Sequence, residues 1–421
     1  MDRYLLPDWL FADGQRPVPK AFRTGTHRLV VPQVTLAHLE PHLVEMGITR
    51  VANVTGLDRL GIPVVMVCRP NSRSLSVFQG KGLDLAAAQA SGIMEATETF
   101  WAERVTQPLL LGSFDELQDT YRLVDVNRLP RRSTAADPRH LPILWLEGFD
   151  LLQQQPTWAP YEMVHTDYTL PSAIGTPCFI CSSSGLASGN HPLEAINHAI
   201  CELVERDAAH LFSLQDAAGR AARRVDLSTV DDPICADVLA RYDRGSVAVA
   251  VWETTTDVSI PAFYCTVTDR SLNPLHPLYA AEGAGCHPSR GVALFRALSE
   301  AAQSRLTGIS GARDDTPRST YERMLAPEQL RRSRSAFEED RPVRPFGSGP
   351  GWEAETLDAD FEQELVCLRG AGVEQVVAIN LAPRDLGVSV VRVIIPGLEP
   401  WLHGAPFRPG PRARQRLKKS T

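Results

Sequence analysis

The chain has 421 residues, 43% of them apolar and 22% charged, the composition of a globular protein with room for one large domain or two fused ones. A formal net charge of −7 argues against general nucleic-acid binding. No apolar run reaches membrane-spanning length, and the acidic start MDRYLLPDWLFADG, broken by Pro7, lacks the basic and apolar regions of a signal peptide. A cytoplasmic protein is expected, and eight scattered cysteines suit a reducing compartment. Cys178 and Cys181 form one CxxC without a second ligand pair, so buried thiols on a strand are preferred over a zinc site.

In chain order, the pattern predicts a helix over Thr35–Gly47 interrupted by Pro41, then strands at Thr49–Thr55, Ile62–Cys68 and Ser72–Phe78. A long helix is expected from Leu85 to about Arg104, and a short one after Ser113, which forms a capping box with Glu116. Strands follow at Leu141–Gly148 and Glu162–Thr166. A Gly/Ser-rich turn leads into a helix from Pro192 to about Phe212, paired strands are read at Val247–Glu253 and Pro261–Val267, and another helix runs from Ser289 to Leu306. Residues 310–352, rich in Arg, Ser, Pro and Gly, read as a mobile connection or lid with at most a short helix near Tyr321. A helix near Leu357–Arg369 and strands at Gln375–Asn380 and Val388–Ile395 come next, and residues 406–421 read as a disordered basic tail.

Three of the helices share a pattern: GKGLDLAAAQASGIMEATETF, SGNHPLEAINHAICELVERDA and GCHPSRGVALFRALSEAAQSR. Aligned without gaps, Ala88, Ala195 and Ala293 coincide, as do Glu95, Glu202 and Glu300, and then Glu98, Glu205 and Gln303. Residues three and four apart share a helical face. On the second helix Glu194, His198, Glu202 and Glu205 fall in one arc, while Leu193, Ile196, Ile200 and Leu203 line another suited to packing on a sheet. Gathered carboxylates repel, and a cation relieves the cost; Mg²⁺ prefers one or two carboxylates, waters and phosphate oxygens. A single ExxE is usually a solvated face, but the triple recurrence, with Lys81, Asn190 and His287 in the preceding turns, favours a metal–nucleotide site. No P-loop, GxGxxG after a strand, GxSxG or HExxH occurs, so phosphate binding falls to side chains and metal. His165 and His198 are read as structural, His198 being the better candidate for acid–base work.

These segments resemble the YcaO superfamily, most strongly in SGLASGNHPLEAINHAICELVERDA and with support across Gly25–Leu306. The resemblance implies an α+β fold with long helices packed on antiparallel sheets around a central Mg–ATP cleft, built from an internal repeat of β-α units. It implies ATP and Mg²⁺ as cofactors. It makes Glu95, Glu98, Glu202 and Glu205 metal-associated and Asn190, Glu194 and Arg206 nucleotide contacts, with Arg28 the candidate for the basic residue that reaches the phosphates and Gln303 and Arg305 closing the pocket; Lys81, in the turn before the first helix, joins the nucleotide-binding set. Glu202, Glu205, Arg206 and Gln303 become the catalytic set. Lys20 and Arg23 lie close to Arg28 in the sequence and compete for its place. Residues 1–48 would carry the basic residues on the phosphate side, 49–309 the catalytic core, and 353–405 strands completing it.

The run KAFRTGTHR, followed by MGITRVANVTGLDRLGIPVVMVCRPNSRSLSVFQGKG, looks like the subgroup that works with TfuA-like partners and forms peptide backbone thioamides. The end, FRPGPRARQRLKKST, departs from the PxPxP tail of many azoline-forming members. The resemblance therefore implies ATP-dependent activation of an amide oxygen in a peptide or protein substrate, with a sulfur donor and a TfuA-like partner, a homodimer being left open. The readings weighed against it are an azoline-forming cyclodehydratase, a nucleotide-independent metal hydrolase and a non-catalytic peptide-binding scaffold.

Overall fold

The computed structural model describes residues 7, 9–10, 17–133, 137–170, 178–271, 278–339, 341–401 and 407–419. Parts of the expected N-terminal segment (1–6, 8 and 11–16) and of the tail (406 and 420–421) lie outside the described residues.

Three strand-to-helix units organise the chain. In the first, α1 (Pro32–Leu39) precedes an antiparallel meander of β1 (Arg50–Asn53), β2 (Val64–Cys68) and β3 (Val77–Lys81), which leads into α2 (Leu85–Ala102). The second comprises β4 (Leu109–Gly112), α3 (Phe114–Leu117), β5 (Arg131–Arg132), β6 (Ile143–Asp150), β7 (Gln155–Pro160), β8 (Leu186–Gly189) and α4 (Pro192–Ser213). After α5 (Ala217–Ala221), β9 (Val225–Asp226) and α6 (Pro233–Arg244), the third unit is the antiparallel sheet β10 (Val247–Glu253), β11 (Ala262–Asp269), β12 (Ala281–Cys286), followed by α7 (Arg290–Ser310). The chain then forms α8 (Arg318–Met324), α9 (Pro327–Glu339), β13 (Arg344–Pro345), α10 (Leu357–Gly370), β14 (Val377–Asn380), β15 (Ser389–Ile394), β16 (Phe407–Arg408) and α11 (Pro411–Lys419). The last long strands complete the middle sheet, whose order is β4-β6-β14-β15-β8 with β7 along the other side of β6.

The internal repeat has a steric origin. A Cβ added to Gly80 on β3 would lie 2.1 Å from the Ala88 carbonyl oxygen; one on Gly189 of β8, 2.7 Å from Ala195 N; one on Gly285 of β12, 2.1 Å from the Ala293 oxygen. Each aligned alanine therefore sits directly over a strand glycine, and only that pairing of small residues lets helix and strand backbones approach so closely. The aligned glutamates are seven residues further on, two turns along the same face. Local signals start the helices. The Asp84 carboxylate accepts from Ala87 N to cap α2, Pro192 occupies the first turn of α4, and α7 ends at Gly311 in the left-handed region, φ 59°.

The cores divide in the same way. Ile93, Ala96 and Phe100 of α2 pack with Val67, Trp145 and Ile379; Leu193, Ile196 and Ile200 of α4 with Phe361, Leu365 and Val393; Ala293, Leu294 and Leu298 of α7 with Val251, Phe263 and Val238.

Several expectations are corrected. Helix α1 begins at Pro32 and ends before Pro41, whose surroundings tighten into a 3₁₀ turn, because proline cannot donate the bond that would continue it. The strand expected at 72–78 starts at Val77. Glu162–Thr166 is not a strand: Tyr161–Met163 is a 3₁₀ turn, and the buried Glu162 carboxylate accepts from Cys178 N at 2.7 Å and Phe179 N at 2.9 Å. The strand there is β7, whose Pro156 and Pro160 masked it and which fits at a sheet edge. Residues 310–352 form α8, α9 and β13, which pairs with β9, rather than a structureless connection. In the described part of the tail, β16 and α11 form, and Arg412 of α11 makes ion pairs with Asp207 at 2.9 Å and with Asp257.

Candidate functional site

A cavity of about 1090 Å³ opens among α2, α4 and α7. Glu95, Glu98, Glu202, Glu205 and Gln303 all line it, together with Arg28, Lys81, Asn190, Glu194 and Arg206. The three helices thus bring their aligned carboxylates to one enclosed space, not to open solvent.

Each carboxylate is held by a specific neighbour. Glu95 Oε2 accepts from Gln79 N at 3.3 Å, and Glu98 Oε1 from Ser188 Oγ on β8 at 2.6 Å. Glu202 Oε2 accepts from Gly185 N at 3.0 Å and its other oxygen from Arg206 Nη2 at 3.4 Å. Glu300 of α7 takes Lys81 Nζ at 3.1 Å. Glu194 is saturated by four donors: Arg28 Nη1 at 3.3 Å, Leu29 N at 2.8 Å, and Asn190 N and Nδ2, both at 3.1 Å. It therefore fastens the N-terminal segment to the start of α4 and aims Arg28 into the cavity. Lys20 is buried against Asp360 and Arg23 pairs with Glu355 at 2.7 Å, so of the three basic candidates Arg28 reaches the cavity wall.

The electrostatics are strained without a cation. Burial, and then the charges of Glu95 and Glu202, push Glu98 up to about 8 against the opposing hydrogen bond from Ser188. Burial, followed by the neighbouring Glu300, pushes Glu205 up to about 7. Of this pair Glu205 is the protonated member: burial opposes ionisation of Glu300 too, but Lys81 and Arg206 hold it below the usual carboxylate range. Glu95 is also raised by burial; the protein surrounds it, yet its carboxylate is exposed to the cavity itself, where a ligand can reach it.

The geometry suits a divalent ion shared with a phosphate. Among the described residues no three His, Cys, Asp or Glu stand close enough to hold a metal alone. A hard cation here needs oxygens from elsewhere, as Mg²⁺ with phosphate and water ligands does. Arg206 Nε and Gln79 Nε2 are buried with no hydrogen-bond acceptor among the described residues.

Two placements differ from expectation. Arg305 does not line the cavity: it is buried on the opposite side of α7, bonded to Asp58 Oδ2 at 2.8 Å and Asp269 Oδ1 at 3.1 Å. Gln303 and Arg305 are two residues apart, about 200° around a helix, so only one of them can face the ligand. One cation the sequence reading missed is Arg296, four residues before Glu300 and on its face; it lines the cavity and donates to His198 Nδ1 at 3.1 Å and to the Cys286 carbonyl at 3.1 Å. Arginine only donates, so His198 Nδ1 accepts and its proton is on Nε2. Burial and then Arg296 push His198 well below its usual range, so it is neutral. His165 stacks on Tyr161 outside the cavity wall. The 310–352 segment contributes Arg313, Met324 and Gln329 to the wall.

Residues 79–399 match the sequence profile of one family, described as YcaO cyclodehydratase, ATP- and Mg²⁺-binding. The chain belongs to the YcaO family. An uncharacterised protein encoded in the tfuA 3′ region of Rhizobium leguminosarum bv. trifolii is 37% identical over 390 residues, covering 92% of both chains. The YcaO protein from Methanopyrus kandleri, solved with AMPPCP and Mg²⁺, shares the fold with a TM-score of 0.72 at 20% identity, covering 93% of this chain and 100% of that one. A heterocyclase solved in complex with substrate and cofactor gives a TM-score of 0.74 at 21% identity; the alignment covers 92% of this chain and 54% of the heterocyclase. The cofactors of this YcaO protein are ATP and Mg²⁺. No helix among the described residues is long and apolar enough to cross a membrane.

Proposed function

We propose that this YcaO protein uses Mg·ATP to activate backbone amides of a peptide or protein, and that its product is a thioamide. The observation carrying the reading is the convergence of carboxylates from α2, α4 and α7 beside Arg28, Lys81, Arg206 and Arg296 in one cavity. Glu95, Glu98, Glu202 and Glu205 are the metal-associated set, and the four cations with Asn190 face the nucleotide. Mg²⁺, when bound, neutralises charge developing on the transferred phosphoryl oxygens. The chain's own residues orient the partners and keep water out, since bulk water in the cleft would hydrolyse ATP unproductively. A cavity of about 1090 Å³ lies just above the ~300–1,000 Å³ usual for one small ligand, which leaves space for a peptide segment beside the nucleotide.

In the proposed reaction a sulfide-equivalent nucleophile adds to the amide carbon, and the resulting oxyanion takes the terminal phosphoryl group. The C–O bond then breaks, phosphate departs with the former amide oxygen, and loss of a proton leaves C=S. Support for the sulfur branch comes from the relative encoded beside tfuA. It also comes from the C-terminal helix α11, none of whose residues line the cavity and which is pinned to Asp207 instead. The sulfur donor and a TfuA-like partner belong to the same proposal. The family's description as cyclodehydratases favours azoline formation as the second reading. Mass spectrometry of a precursor peptide treated with ATP, a sulfide source and a TfuA-like protein decides between them. Oxygen replaced by sulfur supports the thioamide, loss of water supports the azoline, and turnover independent of ATP sinks both.

A further inference from the structure

Over residues 17–31, ahead of α1, the chain forms only single bridges, Pro19 with Thr356 and Phe22 with Arg28. This strap nevertheless supplies Phe22, Thr24, Gly25, Thr26 and Arg28 to the wall of the main cavity. It is moored on both sides of that wall. On one side the Glu194 carboxylate of α4 accepts from Leu29 N at 2.8 Å and from Arg28 Nη1 at 3.3 Å. On the other side the contacts run to α10 and the residues just before it. Val18 N donates to Asp358 Oδ2 at 2.7 Å, Leu357 N to the Val18 carbonyl at 2.9 Å, and Lys20 N to the Glu355 carbonyl at 3.3 Å. At the centre of this second mooring the Lys20 ammonium pairs with the Asp360 carboxylate, the two side chains being 0% and 3% exposed. Asp360 Oδ1 also accepts from Trp352 Nε1 at 3.2 Å. The start of α10 is in turn fixed to α4: Asn197 Nδ2 donates to the Leu357 carbonyl at 2.9 Å, and Val18, Leu357 and Phe361 share a hydrophobic cluster with Leu193 and Ile196. Both moorings are thus set by the helix that carries Glu202 and Glu205.

We propose that Lys20 and Asp360 are positioning residues for Arg28: their buried pair fixes the strap so that the Arg28 guanidinium stands at the nucleotide phosphates before the nucleotide arrives. A buried ion pair adds little to stability, because taking both charges out of water offsets their attraction. The cost is visible at Asp360, whose carboxyl burial pushes up against the opposing bond and charge of Lys20. What such a pair confers is a single position, since the ammonium must meet the carboxylate or stay buried alone. Neither residue lines the cavity, so both act through the strap. A cation already in place loses less freedom when its ligand binds, and that saving appears as affinity. The Arg23–Glu355 pair on the outer side of the strap is 37% and 88% exposed and carries little of this role. The inference deepens the Mg·ATP reading of the main cavity and rests on it.

The test is isothermal titration calorimetry of Mg·AMPPCP with the full chain, thermal melts confirming that each variant folds. Lys20→Met should weaken binding about tenfold, and Arg28→Gln at least as much. The Lys20→Met/Arg28→Gln double variant should bind no more weakly than Arg28→Gln alone, because a strap without its cation has nothing left to misplace. A general loosening of the structure would multiply the two losses instead. Asp360→Asn keeps the side-chain volume and an acceptor for Trp352 Nε1; it carries the same cycle if Lys20→Met does not fold, with a loss of about threefold. In turnover the variants should raise the KM for ATP and leave kcat within about twofold. Wild-type affinity in both variants of the pair, losses that multiply in the double variant, or a lowered kcat at unchanged KM overturns the proposal. Failure of the unsubstituted chain to bind Mg·AMPPCP refutes the nucleotide reading itself and this inference with it, whereas binding by that chain with no effect of the variants refutes the inference alone.

Discussion

Binding of Mg²⁺ with a non-hydrolysable ATP analogue should expel protons from the main cavity. Without the metal, Glu98 sits at about 8 and Glu205 at about 7, both raised chiefly by burial. At pH 7 the first is roughly nine-tenths protonated and the second about half, so ionising both beside a cation releases up to about 1.4 protons. The sign follows from the raised values: the neutral forms are favoured in the empty site below these pH values, and the bound cation reverses the preference. The release therefore shrinks as pH rises and should fall to about 0.1 at pH 9. Isothermal titration calorimetry in buffers of different ionisation enthalpy reads the number directly from the slope of observed enthalpy. Glu98→Gln should cut the pH 7 slope to about 0.5. A slope near zero at pH 7, or proton uptake, would refute the idea that these carboxylates meet the metal.

Glu202→Gln should keep the fold, since the amide oxygen still accepts from Gly185 N, while ATP-dependent turnover falls at least about 100-fold; full activity in that variant removes Glu202 from the site. Arg296→Met and Arg305→Met should separate function from stability. The first should weaken nucleotide binding about tenfold with a small change in denaturation midpoint. The second should cost about 3–5 kcal/mol, because it leaves the buried Asp58 carboxylate beside an apolar side chain, while Asp269 keeps Arg59 at 2.5 Å; the reverse pattern would restore Arg305 to the cavity. Gly285→Ala forces a methyl against the Ala293 carbonyl at 2.1 Å, and urea denaturation should show a loss of about 3 kcal/mol or more. An unchanged midpoint would show that strand and helix do not approach as closely as described.

Much of the arrangement was legible because small and acidic residues recur at fixed spacing. Ala88, Ala195 and Ala293 marked where helix meets strand, although their glycine partners emerge only in three dimensions. The helical periodicity that grouped Glu202 with Glu205 would also have grouped Arg296 with Glu300 and excluded Arg305, had it been applied to α7 as strictly. What stayed hidden was tertiary. The sequence QPTWAP reads as a loop until β6 offers it an edge, and Glu162 belongs to no strand because two distant backbone amides claim its carboxylate. The basic ending looks disordered until Asp207 and Asp257 appear opposite Arg412.

The three carboxylate-bearing helices are each anchored in a different hydrophobic cluster: α2, α4 and α7 share no common core. The proposed metal ligands come from α2 and α4, so an ion held between those two would work as a keystone, closing an arch whose stones are separately bedded. Withdrawing it undoes contacts between the stones and none within them. The empty protein should then remain folded but loosen along the seams that meet at the cavity, and amide exchange would slow at those seams when the nucleotide arrives.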